Sequence, residues 1–220
     1  MTSDPPQRGQ PQIDLGGLRW LGLLPLSFFA IHGSRHVLSG HAYELLWLCT
    51  VSCFVVGVGI LARSPRWTAA AALWLPLGTV LWIFDACRTG DFLLTSALTH
   101  LGGLLVALVW LGRTGFPAGS FVYATGLGVL VQTVSRYVSP HEANVNVSQF
   151  IYPGSEAYFP SYRLYWCFIW LSATAIFWIC ERIGRRIWPG SSASVDDGLP
   201  GLAQADKVVG IAKARTRDLL

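Results

Sequence analysis

Phe92–Leu111, FLLTSALTHLGGLLVALVWL, reads as one apolar block holding a single histidine, His100, and no Asp, Glu, Lys or Arg. A helix rises about 1.5 Å per residue, so crossing a bilayer's hydrocarbon core takes about 20 predominantly apolar residues. This block has that length. Five more stretches come close: Leu15–Ser34, Ala42–Leu61, Trp67–Phe84, Phe116–Ser135 and Leu164–Ile183. Ser64-Pro65, Arg88-Thr89-Gly90 and Gly115-Phe116-Pro117 supply turn chemistry between them. Pro25 and Pro76 fall inside blocks, where neighbouring helices can satisfy the carbonyls they free. The stretch Phe116–Ser135 is rich in glycine, as membrane helices that pack closely often are.

The pattern predicts an all-α fold, a polytopic transmembrane bundle of six helices over residues 15–188. A polar segment, 1–14, precedes it, and a flexible cytoplasmic tail, 189–220, follows it. Between the fifth and sixth blocks, residues 136–163 form an outer loop too aromatic (Phe150, Tyr152, Tyr158, Phe159, Tyr162) to be a free linker. Met1 to Asp14 is polar and lacks a basic run leading into a short apolar core, so the first block is expected to act as an uncleaved signal anchor.

Composition agrees. Of 220 residues, 52% are hydrophobic and 13% charged, about half the charge of an ordinary soluble domain. The mean hydropathy is +0.46. A soluble all-helical protein is the alternative that these values oppose. Ten tryptophans suit headgroup boundaries. The net charge of +4 carries no nucleic-acid signal, because much of the basic charge (Arg182, Arg185, Arg186, Lys207, Lys213, Arg215, Arg217) sits at or beyond the last block. With the N-terminus inside, those residues join Arg8, Arg19, Arg63, Arg66 and Arg113, leaving Arg35, Arg88, Arg136 and Arg163 outside. The positive-inside rule therefore predicts both termini in the cytoplasm.

In that topology His32, His36, His41, His100 and His141 gather toward the outer face, with Glu44, Asp85, Asp91, Glu142, Asn144 and Asn146. Ionisable groups in or beside a span are costly and tend to mark a site. Counting from the outer face, Cys49 lies seven residues along the second block and His100 eight along the fourth, both about 10–12 Å deep. A thiol and an imidazole at one depth are the minimum for nucleophilic catalysis. Equally, Cys49 can fill a core and His100 can bond a neighbouring helix. Asp85 can orient His100 as the third group of a triad or simply pair with Arg88. Glu44, Ser96, Asn144, Asn146 and Tyr152 are the candidate lining of a substrate pocket, the asparagines as oxyanion donors or as turn formers. Cys87 and Cys167 both lie near the outer face, where a disulfide is geometrically allowed.

The run Leu48-Cys49-Thr50-Val51-Ser52 resembles the Leu-Cys-x-x-Ser segment of the YwaF-like integral membrane protein family, bacterial proteins related to an animal transmembrane acyltransferase of ether phospholipids. Phe92 to Leu105, with Thr99-His100, is similar to that family's His-bearing helix, and Asn144-Val145-Asn146 to Pro153 to its last outer loop. Trp47 stands where the bacterial proteins tend to carry a histidine. The resemblance implies Cys49 as acyl-accepting nucleophile, His100 as its base and a membrane lipid as substrate, in a bacterial inner membrane.

A metal is the competing site. His32-x3-His36 puts two imidazoles on one face of any helix that continues through it, with His41, Glu44 and Asp85 available to complete a shell. Gly33 and Gly40 bracket the region, however, and predict a loop from His36 to His41. No Gly-rich phosphate loop, HExxH or GxSxG occurs, and no cofactor is implied. The expected function is a lipid acyltransferase or lipid hydrolase using Cys49 and His100. The alternative is a non-catalytic membrane protein: a metal or small-solute transporter, or an assembly subunit.

Overall fold

The computed structural model describes residues 15–90 and 92–189. The polar segment 1–14 and, apart from Pro189, the expected tail lie outside the described residues. Regular structure within them is helical. After a turn, Leu15–Leu18, and a 3-10 turn, Arg19–Gly22, come α1 (Leu23–Leu38) and a second 3-10 turn, Ala42–Leu46. Then follow α2 (Leu48–Leu61), α3 (Pro65–Thr89), α4 (Leu94–Thr114), α5 (Ser120–Val138) and α6 (Tyr162–Ile187).

Three of these, α3, α4 and α6, are long and apolar enough to cross a membrane; α2 is apolar but only 14 residues long. Large apolar side chains stand open on the surface, among them Val80, Leu81 and Phe84 of α3, Leu105 of α4, Leu130 of α5 and Leu171 of α6. Soluble monomers rarely expose so much apolar surface.

The local chemistry explains the boundaries. Pro65 sits at the first position of α3, where its missing N–H is not needed. Gly90 ends α3 at φ +78°, a left-handed turn that favours glycine, and its N–H bonds Ala86. α3 is the centre of the bundle. Every residue from Thr68 to Leu75 is buried, so neighbours cover all its faces, and the alanines Ala69 to Ala72 let them approach closely. Around it pack Val56 and Ile60 of α2, Trp110 and Leu111 of α4, Ala124 of α5, and Trp170 and Phe177 of α6. Gly128 of α5 leaves a slot for the Trp74 and Trp170 rings.

Two helix-forming expectations change. The first helix runs through His36 to Leu38 rather than ending near Ser34, because nothing in Gly33-Ser34-Arg35 stops it; the turn comes at Gly40, φ +80°. The second block is not one helix. Trp47, at φ −55° and ψ 130°, breaks it, and α2 starts only at Leu48. Apolar composition continues across that break, so hydropathy alone does not register it.

The fold also explains a buried acid. Glu181 of α6 accepts the N–H groups of Gly119 and Phe121, each at 2.9 Å. These belong to the first turn of α5, whose N–H groups otherwise lack partners and whose dipole favours an anion.

Candidate functional site

The site begins at the break in the second block. Asn146, 98 residues from Leu48 along the chain, accepts the Leu48 N–H on Oδ1 at 2.9 Å. Its Nδ2 donates to the Leu46 carbonyl at 2.6 Å and to the Ser135 hydroxyl at 2.9 Å. One side chain thus holds both edges of the break. Cys49 is therefore in the first turn of α2, not two turns down a continuous helix, which corrects the depth count.

Across from Cys49 is Gly78 of α3. A Cβ placed there would meet Cys49 Cβ at 3.0 Å and the His100 ring (Cε1 and Nδ1) at 3.4 Å. The Cys49 Cβ and the His100 ring therefore flank the same bare backbone position. His100 sits in a π-helical segment of α4, Leu98–Gly102. Such segments insert an extra residue per turn and recur at functional sites. Its ring stacks on Trp82 of α3, centroids 5.4 Å apart and 13° from parallel. The ring is buried, and Nδ1 has no hydrogen-bond partner. Ser52, one turn beyond Cys49 on α2, likewise buries a hydroxyl without a partner. Buried polar atoms left unsatisfied are rare, because each forfeits its hydration.

A chain of polar groups leads from the surface to this place. Glu44 Oε2 is 2.7 Å from His36 Nδ1, His36 Nε2 is 3.1 Å from His32 Nε2, and His32 Nδ1 is 3.1 Å from the Thr95 hydroxyl of α4. One set of neutral tautomers satisfies every contact: Thr95 O–H donates to His32, His32 Nε2–H to His36, and His36 Nδ1–H to Glu44.

The remaining sequence candidates fall elsewhere. Asp85 is exposed and pairs with Arg88 at 3.1 Å, three residues on, so the surface-pair reading describes it and no triad contact to His100 forms. The i, i+4 spacing does bring His32 and His36 together, but His41 lies exposed in the turn beside Ser39. Among the described residues no group of three His, Cys, Asp or Glu side chains is arranged to hold a metal. Asn144 makes turns, accepting the N–H groups of Gln149 and Phe150 on Oδ1. Asn146 is a clamp, its side-chain amide committed to backbone and Ser135. Ser96 is buried in α4, and Tyr152 is exposed in the loop. Cys87 and Cys167 are both free thiols.

Sequence reading missed four residues that the site or its scaffold uses. Gln132 and Glu181 are polar groups inside apolar blocks, a signal sufficient to single them out. Thr95 and Gly78 carry no signal without their partners. No family model, curated protein or solved structure matches the chain.

Proposed function

We propose that this chain crosses the inner membrane of a bacterium six times, with both termini cytoplasmic, and transfers or hydrolyses lipid acyl groups through Cys49 and His100. The observation that carries the reading is the convergence of the Cys49 side chain and the His100 ring on Gly78. The unpaired His100 Nδ1 adds to it, since a general base must keep an acceptor free. The likeness of Leu48–Ser52 and of the Thr99-His100 segment to YwaF-like proteins points the same way.

In the proposed reaction His100 takes the Cys49 proton as the sulfur attacks the ester carbonyl carbon of a lipid. The tetrahedral intermediate collapses by breaking the ester C–O bond. The departing lysolipid oxygen receives the proton from His100, leaving a thioester on Cys49. Water or a second lysolipid hydroxyl, deprotonated by His100, then attacks the thioester, and the sulfur leaves with that proton. The Glu44–His36–His32 chain, ending on the Thr95 hydroxyl of the helix that carries His100, would serve as an acid–base path from the surface.

A phospholipid carrying an alkyne-tagged acyl chain tests the reading. The protein should acquire a hydroxylamine-sensitive label that Cys49→Ala abolishes and Cys53→Ala leaves intact. Equal labelling of wild type and Cys49→Ala would remove the enzyme reading. A second reading, proton-coupled passage of a small solute without acyl chemistry, is favoured only by the Glu44–His36–His32 chain. It predicts pH-gradient-driven uptake that His32→Gln stops and Cys49→Ala does not.

A further inference from the structure

We infer that the groove between α5 and α6 holds one phospholipid with an anionic headgroup, seated on Arg136 and Arg163 at the end of the bundle that carries the 139–161 loop. This rests on the membrane reading but not on the chemistry of Cys49.

Two adjoining hollows make up the groove. One, of about 460 Å³, is lined by polar groups that include Gln132, Arg136, Ser148, Tyr162 and Arg163. The other, of about 500 Å³, is lined by apolar ones that include Phe121, Leu171 and Trp178. Trp166 and Cys167 belong to both, so the hollows are continuous. From Trp166 to Trp178 the helix rises about 18 Å at 1.5 Å per residue, near the roughly 15 Å half-thickness of the hydrocarbon core. The apolar part therefore matches an acyl chain belonging to one leaflet.

Its head is built for an anion. Arg136 is fixed in place, with one guanidinium N–H donating to the Ser148 carbonyl at 2.6 Å and the group lying over the Tyr162 ring. That leaves further N–H donors free for a phosphate, which a guanidinium fork suits. Arg163 is exposed and, among the described residues, has no carboxylate partner. The cation pair is thus not neutralised from within. Gln132 has no spare capacity, because its Oε1 accepts the Trp166 and Trp170 N–H groups and its Nε2 donates to the Asn146 and Val147 carbonyls. It is a fixed floor, and the free donors are the arginines. Two arginines above an apolar channel select a lipid phosphodiester.

The test is lipid retention by the full chain in nanodiscs of equal phosphatidylglycerol and phosphatidylcholine, followed by native mass spectrometry. Wild type should retain phosphatidylglycerol at least fivefold over phosphatidylcholine. Arg163→Gln, at an exposed side chain with no ion-pair partner among the described residues, should lose most of that preference. Soluble glycerophosphoglycerol should not displace the lipid, since it lacks the chains; displacement at millimolar levels would overturn a lipid in favour of a free phosphodiester. Equal retention of the two lipids, or an unchanged preference in Arg163→Gln, overturns the proposal. Recovery of the chain in the soluble fraction after carbonate washing would overturn the membrane reading instead, so the two failures are separable. Cys49 labelling should be unaffected by Arg163→Gln.

Discussion

Two buried polar regions of this molecule are organised in opposite ways. Where α5 meets α6, two buried side chains are fully engaged: Glu181 takes two N–H groups of the α5 start, and Gln132 makes four bonds to two indoles and two carbonyls. Where α2, α3 and α4 meet, His100 Nδ1 and the Ser52 hydroxyl stay unpaired although both are buried. Satisfied polar groups rigidify a core; unsatisfied ones raise its free energy, and a protein tolerates them where chemistry needs a vacant lone pair. The contrast sets Glu181 and Gln132, bound into the scaffold, apart from His100, whose Nδ1 is left open. Burial by itself would not have done so.

Replacing residues on either side tests that division. The largest effect is expected at the site: His100→Ala should lower acyl transfer by about 10²–10⁴-fold, the range for loss of a general base, with the melting temperature little changed. A variant that transfers acyl groups normally would make the vacant Nδ1 an ordinary packing defect. On the scaffold side, Glu181→Ala removes two charge-assisted bonds and leaves two N–H groups without an acceptor, costing about 3 kcal/mol. Thermal denaturation in detergent should show it, with Glu181→Gln intermediate and the activity of the surviving folded fraction unchanged.

Gly78→Ala sharpens the comparison. The added methyl would stand 3.0 Å from Cys49 Cβ and 3.4 Å from the His100 ring, tighter than ordinary contact. The two groups must separate by a few tenths of an ångström, and activity should fall about tenfold, because misplacing reacting groups is costly even at that scale. Full activity would mean that the two do not act across this glycine. The smallest effect is expected for Asp85→Asn. This exposed pair with Arg88 should contribute within about 0.5 kcal/mol, and activity should not change. A large loss of activity there would return Asp85 to the role of orienter.

Much of the scaffold was legible. The apolar blocks give the helices and their approximate ends, since length and hydropathy are local properties. Turn residues such as Ser64-Pro65 and Gly90 mark boundaries by their own backbone preferences. Other features were hidden for equally definite reasons. Trp47 breaks the second block in the midst of apolar residues, and the break is held by Asn146 from a distant loop. Cys49 and His100 were singled out from a depth count that assumed a continuous helix, so they were selected by a premise that the Trp47 break removes. Asp85 and Arg88 stood next to each other in the sequence, and the short-range pairing prevailed over the long-range one.

By itself, then, the sequence determined how many apolar helices form, where most of them begin and end to within about a turn, and which residues carry reactive groups. The first two helices start six to eight residues later than their apolar blocks. The spacing of His32 and His36 allowed them to meet on one helix face, and the helix, by continuing to Leu38 where a loop was expected, brings them together. Only the tertiary structure decided that Cys49 and His100 share Gly78, and that Glu44 reaches His36. Those meetings depend on how each helix is rotated about its axis and where it is interrupted. Contacts between residues far apart in the chain set both, and no local pattern encodes them.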